Sequence, residues 1–173
     1  ASLKALVVGT GPGSFTGLRV GLALSKGLAL GAGVPLYGVS SLALWAASGG
    51  PGTVRPILDA RKGQVFTGLY RVHDDGRVVN LEEDALVMGE QLMTTIQSYE
   101  AQEPLLITGD GIGALGAEQP GAATVVEGYP RGLGGLLCLA ERIEKGQSDT
   151  ASELVPNYLQ ITEAERQALL RRQ

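Results

Sequence analysis

Residues 5–17 read ALVVGTGPGSFTG, and this stretch predicts how the chain begins to fold. The four apolar residues at 5–8 are typical of a short strand buried on both faces. A glycine-rich turn follows at 9–13, and Ser14 or Thr16 has the side chain to cap a helix directly after it. The pattern therefore predicts a strand, a tight turn and a helix in succession.

The same alternation continues in the next thirty or so residues. The first helix is expected to end at Gly31 or Gly33, shortly before Pro35. Residues 36–39 predict a second strand, and a second helix capped by Ser40 or Ser41 is expected to run through Trp45.

Further elements are predicted downstream. β-rich runs at 54–59, 64–72 and 77–81 surround a hairpin turn at 74–76, and helical spacing at 90–99 precedes a strand at 105–108. An amphipathic helix at 131–145 is expected to face inward with Leu133, Leu136, Leu137, Ala140 and Ile143, and a charged helix is expected near 162–172. This order predicts an α/β protein with two related lobes.

Glycine and charge divide the chain unevenly. Twelve of the 26 glycines lie in residues 1–52, and the first acidic residue is Asp59. The turn cluster at 49–52 has the composition of a linker. We therefore expect a first-lobe segment at 1–50, a second lobe at 51–150 and a C-terminal extension at 151–173.

Composition excludes several classes of function. The net charge of −4 argues against broad attraction to nucleic acid, and one Cys allows no internal disulfide. A single His rules out a metal site built from several imidazoles. No uninterrupted apolar run reaches the roughly 20 residues of a membrane span, and no signal peptide is evident. We expect a soluble cytoplasmic protein without a membrane segment.

The glycine-rich turn has two interpretations. A loop between a strand and a helix N-terminus presents free backbone N–H groups to an anion, here with Gly11, Gly13, Ser14, Thr16 and Arg19 as candidate residues. The loop lacks the Lys of a Walker A motif, and Ser14 stands where the dinucleotide fingerprint has its third glycine. The alternative is a tight turn that only packs the helix on the sheet. Both interpretations stay open on the residues alone.

Arg19 is unusual because a cation in the first helical turn opposes the helix dipole. No acidic residue occurs among the first fifty to pair with it. We expect Arg19 to meet a carboxylate or phosphate from another segment, a ligand or another subunit; an ordinary solvated arginine is the alternative.

The first helix also carries two stripes of small residues, Gly17-Gly21-Ser25 and Ala23-Gly27-Gly31, at i, i+4 spacing. Each interior glycine costs roughly 1 kcal/mol relative to alanine, so the glycines need a structural reason. We expect close backbone packing, either within the chain or at a subunit interface.

Candidate catalytic groups are few. His73 is expected to be exposed in the hairpin turn, and Cys138 is expected to lie in the core. Asp59 and Asp110 flank strands, where they either reach a cleft or cap a turn. The residues favour a binding protein over a catalyst.

The sequence closely resembles the bacterial TsaB (YeaZ) family. The residues that carry the resemblance are Gly11-Pro12-Gly13-Ser14-Phe15-Thr16-Gly17-Leu18-Arg19-Val20-Gly21, Lys26-Gly27-Leu28-Ala29-Leu30, Gly38-Val39-Ser40-Ser41-Leu42, Asp59-Ala60-Arg61 with Gly63 and Val65-Phe66, and Pro156-Asn157-Tyr158-Leu159. The matches agree in order and cover essentially the whole chain.

The resemblance implies a two-lobed fold of the actin-like ATPase (ribonuclease H-like) superfamily. It also implies a non-catalytic role in making threonylcarbamoyladenosine in tRNA, beside a homologous catalytic subunit, TsaD, and an ATPase, TsaE, with only indirect contact to tRNA. Such proteins form homodimers when alone. The matching interface residues here are Gly17, Leu18, Gly21, Leu24, Ser25 and Leu28.

Two departures from the family pattern qualify these expectations. Family members begin with a strand carrying an Asp-Thr-Ser-type phosphate motif, which this sequence does not contain, so the first lobe is expected to be incomplete and binding of ATP or ADP is not expected. Gln160 replaces the usual Arg. The alternative function is a small-molecule kinase or phosphotransferase of the same superfamily, with Asp59 as its acidic group.

Overall fold

The computed structural model describes residues 3–100, 103–116, 121–130 and 132–159. Two sheets organise these residues. The elements are β1 (Leu6–Gly11), α1 (Phe15–Ala32), β2 (Leu36–Ser40), α2 (Ser41–Ser48), β3 (Gly52–Arg61), β4 (Gln64–Val72), β5 (Val78–Met88), α3 (Gly89–Glu100), β6 (Leu105–Thr108), β7 (Thr124–Val125), α4 (Gly132–Cys138) and α5 (Ala140–Glu144), with a 3₁₀ turn at Ile112–Leu115.

The first sheet pairs β1 with β2 in parallel, with Leu6 opposite Leu36. Between these strands α1 begins after Ser14, whose hydroxyl oxygen accepts a hydrogen bond from the Gly17 N–H at 3.3 Å. The helix ends at Gly33, which has a left-handed φ of 64°. The predicted strand, turn and helix are confirmed, because each depends on residues close in sequence.

The second sheet has the order β5-β4-β3-β6-β7. The pairs β3–β4 and β4–β5 are antiparallel, whereas β6 pairs in parallel with both β3 and β7. The hairpin predicted at 74–76 is present, with the His73 N–H donating to the Arg77 carbonyl. However, β5 extends to Met88, well beyond the predicted run at 77–81. The sequence pattern does not predict this extension, because residues 82–84 are polar. In the structure they lie on an edge strand whose pairing with β4 contains two register shifts.

Apolar residues cover both faces of the β3–β4 pair. On one face, Leu42 and Ala46 of α2 are fully buried against a cluster that includes Val54, Phe66 and Tyr70. On the other face, the buried side chains of α3 pack on the sheet around Ile57. A third cluster joins α1 to the first sheet through Leu22, Ala29, Leu36 and Leu154.

The predicted helix at 131–145 is wrong in two respects. It is divided into α4 and α5 at Leu139, which is 4% exposed, whereas Leu133 and Leu136 are 66% and 48% exposed. Small residues make the inward contact of α4 instead. A Cβ at Gly135 would lie 3.1 Å from Val7 Cγ1, so large side chains are excluded from this side. The helix predicted at 162–172 lies outside the described residues, and the two-lobe boundaries stay a prediction.

None of the helices in the described ranges combines the length and the apolar character that crossing a bilayer requires.

A polar network covers the outer edge of β2 at Gly38. The Gly38 N–H donates to Asp149 Oδ2 at 2.7 Å, and the Gly38 carbonyl accepts from Arg142 Nη1 at 3.2 Å. Arg142 Nη2 also contacts Asp149 Oδ1 at 2.8 Å. The two side chains thus supply the hydrogen bonds that a neighbouring strand would make.

This network generates a stability prediction. Asp149→Ala leaves the half-buried Gly38 N–H without its acceptor, and we expect a loss of about 1–3 kcal/mol in the free energy of unfolding. Urea denaturation measures the loss. Asp75→Ala is the control, because it removes an ion pair to Arg77 that is exposed in the hairpin turn, and we expect little change. Equal stability of the Asp149 variant and the wild type would contradict the assigned role.

Candidate functional site

An exposed apolar face runs along α1. Val20, Leu24 and Leu28 are 61%, 61% and 51% exposed, and the spacing of these residues places them together with Gly17 and Gly21 on one side of the helix. No charged residue lies on this side. We call these five residues the α1 face.

The glycines of α1 have no packing partner within the described part of the chain. A Cβ at Gly21, Gly27 or Gly31 would meet no atom within 4 Å, and one at Gly17 would meet only Ser14. Packing against another described segment of the chain, one of the two explanations offered for the small residues, is therefore not seen at the first three. Packing at a subunit interface stays a prediction.

The opposite side of α1 holds the helix on the first sheet. Leu22 and Ala29 are buried there, while Leu18 and Ser25 are half-buried along the flank. Of the six predicted interface residues, Gly17, Leu24 and Leu28 are exposed and Gly21 faces open space. Leu18 instead turns toward the loop, since its Cδ1 lies 3.0 Å from the Cβ position at Gly11.

Arg19 has a different partner from the one expected. Its Nε donates to the Tyr158 hydroxyl at 2.9 Å, and its guanidinium carbon lies 3.9 Å from the centroid of the Phe15 ring. Among the described residues Arg19 thus contacts another segment through a tyrosine hydroxyl, and a carboxylate or phosphate from a ligand or another subunit stays a prediction. Phe15 precedes Arg19 by four positions, so the helix itself places the ring beneath the cation.

The glycine loop borders a cleft of about 750 Å³. Gly13 and Ser14 line it, whereas Gly11 is buried and Thr16 is exposed outside its lining. The cleft also carries four aromatic side chains: Phe15, Trp45, Phe66 and Tyr158. Whether the loop binds an anion stays a prediction.

Both predicted acidic residues reach this cleft. Asp59 and Asp110 line it, and the Asp59 N–H donates to Asp110 Oδ1 at 3.1 Å. The Asp59 carboxylate also accepts from the Arg61 N–H at 2.7 Å and contacts Arg61 Nη1 at 3.0 Å. The two proposed roles, lining a cleft and holding a turn, are thus combined in the same residues.

Three comparisons place the chain among known proteins. The profile of the family described as "TsaD: tRNA N6-adenosine threonylcarbamoyltransferase" matches residues 1–108. A Bacillus subtilis protein named "tRNA threonylcarbamoyladenosine biosynthesis protein TsaB" is 36% identical over 94% of this chain and 72% of its own length. The chain belongs to the TsaB (YeaZ) family.

More distant relatives agree with this assignment. The Escherichia coli protein named TsaB is 35% identical over 62% of this chain, but the match spans only 48% of that protein. Two solved chains of YeaZ or a YeaZ-like protein from Pseudomonas aeruginosa give TM-scores of 0.74 at 23% and 24% identity, covering 91% of this chain and 74% of theirs. These structures support the fold, and the predicted actin-like (ribonuclease H-like) α/β class is confirmed.

A second cavity, of about 530 Å³, lies where β2 meets β5 in this TsaB-family fold. Ser40 donates to Asp84 Oδ2 at 2.5 Å, and the Tyr70 hydroxyl donates to Asp84 Oδ1. Burial, reinforced by the bond to Asp84, raises the pKa of Tyr70. Tyr70 therefore stays protonated and donates to Asp84 within the second sheet, and the bond from Ser40 to the same carboxylate joins the first sheet to the second.

Sequence reasoning missed several residues of the two cavities. Trp45 was used only to end a helix, and Asn157 and Tyr158 were noted only for their family match. Asp84 was not singled out. The contacts of Tyr158 with Arg19, and of Asp84 with Ser40, join residues 139 and 44 positions apart, and no local pattern reports such pairs.

The remaining candidates occupy the expected places. His73 is exposed in the hairpin turn. Cys138 is half-buried, packs against the core and lines the second cavity. Within the described ranges, no three His, Cys, Asp or Glu side chains come together in a way that would suit a metal ion.

The environment of Cys138 predicts low reactivity. Burial raises the pKa of its thiol to about 11 from a reference value of 9.0, so the thiolate fraction in mildly alkaline buffer falls roughly a hundredfold. We expect slow reaction with a disulfide reagent in the native protein and fast reaction in concentrated urea. Because the chain has one Cys, the absorbance of the released thiol reports on this residue alone. Equal rates in the two conditions would show that the thiol is open to solvent.

Proposed function

We propose that this TsaB-family chain is a non-catalytic scaffold subunit in the biosynthesis of threonylcarbamoyladenosine in tRNA. It acts in the cytoplasm and docks a TsaD-type catalytic subunit through the α1 face. A TsaE-type ATPase joins the larger complex, and contact with tRNA is indirect. Alone, the chain forms a homodimer through the same face.

The α1 face is the observation that carries this proposal. Three large apolar side chains stand more than half exposed on a helix that is already anchored to its own sheet by Leu22 and Ala29. Exposed apolar surface of this kind is typical of interaction sites. The empty space around Gly21 would let a partner helix approach the backbone closely, which gives the glycine a role that offsets its cost in helix stability.

The fold of the chain supports the choice of partner. Its first 108 residues match the profile named for the threonylcarbamoyltransferase TsaD, so the scaffold and the catalytic subunit share one architecture over this region. Two similar helices can then pack across a pseudo-twofold axis. A homodimer uses the same patch on both copies. The net charge of −4 supports an indirect contact with tRNA.

The cleft chemistry supports the non-catalytic role. Both oxygens of the Asp59 carboxylate are engaged by Arg61, and the Asp59 N–H is held by Asp110. A general base must present a free lone pair to its substrate. The contacts with Arg61 favour the charged carboxylate and make Asp59 a weaker base than a carboxylate without a cation beside it.

The docking proposal predicts the effect of a charge on the α1 face. Leu24→Glu places a carboxylate at the centre of the apolar face, where burial against a partner would leave it unpaired, so we expect loss of the homodimer and of TsaD binding. Analytical ultracentrifugation and co-purification with the TsaD subunit measure these effects. Leu30→Glu is the matched control: Leu30 is 72% exposed on the same helix but off the face, and we expect both interactions to persist.

Gly21→Leu tests the same face by bulk instead of charge. A Cβ at position 21 meets no atom within 4 Å in the described chain, so we expect the fold to be retained while a partner helix is displaced. An unchanged mass for both Leu24→Glu and Gly21→Leu would refute the interface. If deletion of the gene left threonylcarbamoyladenosine unchanged in hydrolysed tRNA, as measured by mass spectrometry, the wider functional assignment would fail as well.

The non-catalytic role predicts the outcome of calorimetry with ATP and magnesium. We expect no measurable heat of binding and no release of phosphate, because Asp59, the acidic residue considered for a phosphotransferase, is paired with Arg61 through both carboxylate oxygens. Saturable binding with turnover, abolished by Asp59→Asn, would favour the phosphotransferase alternative.

A further inference from the structure

Residues 155–159 cross the end of β1 and the first turn of α1, and we call them the strap. The Asn157 N–H donates to the Thr10 carbonyl at 2.7 Å. The Asn157 carbonyl oxygen would lie only 2.8 Å from a Cβ at Gly11. The strap therefore lies against the backbone of the glycine loop, where a side chain at Gly11 would keep it away.

Side chains form a latch between the strap and α1. The Tyr158 and Phe15 rings pack in a tilted arrangement, with their centroids 5.1 Å apart and their planes inclined by 32°, and Arg19 donates to the Tyr158 hydroxyl while covering the Phe15 ring. Phe15 and Tyr158 are 37% and 42% exposed, and Arg19 is exposed as well. The latch thus consists of contacts at the surface and not of core packing.

The two ends of the strap differ in their anchoring. Directly before it, Leu154 is buried with Leu22 and Leu36. Val155 is then 64% exposed, and at the far end Leu159 is half-buried against the core cluster around α2. Within the described residues, the strap is anchored at Leu154, and beyond it the segment is held by the Asn157 hydrogen bond, the latch and Leu159.

The strap also forms a wall of the first cleft. Asn157, Tyr158 and Leu159 line it, facing the side that carries Trp45, Asp59 and Asp110. Movement of these three residues would widen the cleft beside the glycine loop. A segment with few anchors among the described residues thus forms part of the wall of the cleft.

We propose that the strap is a gate at this cleft, which stays partly open in the structure, and that Arg19 is the residue that holds the gate closed against α1. The strap opens about Leu154 by a local fluctuation that leaves both sheets intact, since segments with few buried contacts open at a lower free energy than the whole fold. Opening admits a solute to the space between the glycine loop and Asp59. This gate explains why a cation is retained in the first turn of a helix, where it opposes the dipole. It does not depend on the docking role of the α1 face.

The single tryptophan gives a direct readout, because Trp45 lines the cleft that the strap borders. Arg19→Ala should raise the acrylamide quenching constant of Trp45 and speed hydrogen exchange of the Asn157 amide on the order of tenfold, as expected for loss of a charge-assisted hydrogen bond and a cation–π contact. Tyr158→Phe keeps the ring and removes only the hydroxyl acceptor, so its effect should be smaller and in the same direction. Exchange of amides in β3 should stay unchanged in both variants.

Arg77→Ala is the matched control, since Arg77 is an exposed arginine whose ion pair lies in the β4–β5 turn, away from the cleft lining. It should leave Trp45 quenching and Asn157 exchange at their wild-type values. The gate is overturned if Arg19→Ala changes neither quantity, if Arg77→Ala changes both equally, or if the β3 amides accelerate by the same factor as Asn157, which would indicate global destabilisation.

Discussion

The packing of α2 between the two sheets positions both described cavities. Leu42 and Ala46 are completely buried, and their neighbours in the core come from both sheets. The remaining residues of α2 then line the cavities: Leu44 and Trp45 reach the first cleft, and Ala43 reaches the second cavity. If α2 shifted by one helical turn, both cavities would change together. The Ser40–Asp84–Tyr70 hydrogen bonds oppose such a shift, because Ser40 caps α2 while binding a residue of β5.

The glycines serve two opposite purposes. At Gly109 a Cβ would lie 2.1 Å from the Ile57 carbonyl oxygen, and at Gly111 it would lie 2.6 Å from the Asp59 nitrogen, so these glycines let one segment touch the end of β3 and bring Asp110 beside Asp59. At Gly21, Gly27 and Gly31 nothing of the described chain comes within 4 Å. The first group is explained by the fold of the chain itself. The second group is not explained by the described residues, and the proposed partner helix would supply the missing contact.

Predictions from the sequence were confirmed where the interactions join residues close in the chain and were wrong or missing where they join distant residues. Ser14, Gly33 and Ser40 act on backbone groups within a few residues, and the helices that they cap are found where the pattern predicts. Asp59 and Asp110 were found because the ends of strands lead to clefts. The errors concern distant contacts. The amphipathic pattern at 131–145 could not show that Gly134 and Gly135 contact α2 and β1 while Leu133 faces outward. Nor could it show that Arg19 contacts a tyrosine 139 residues away.

The α1 helix carries two surfaces that are separated by geometry. Leu24 and Arg19 differ by five positions, which places them about 140° apart around a helix of 3.6 residues per turn. The apolar face is therefore directed away from the strap, and the anchoring residue Leu22 occupies a third direction. A partner can cover the α1 face without touching the Arg19 latch, and the strap can open without disturbing that face. Binding of a partner on the α1 face could therefore affect the cleft only by moving the whole helix. Leu22 and Ala29 hold the helix against the first sheet and oppose such a movement.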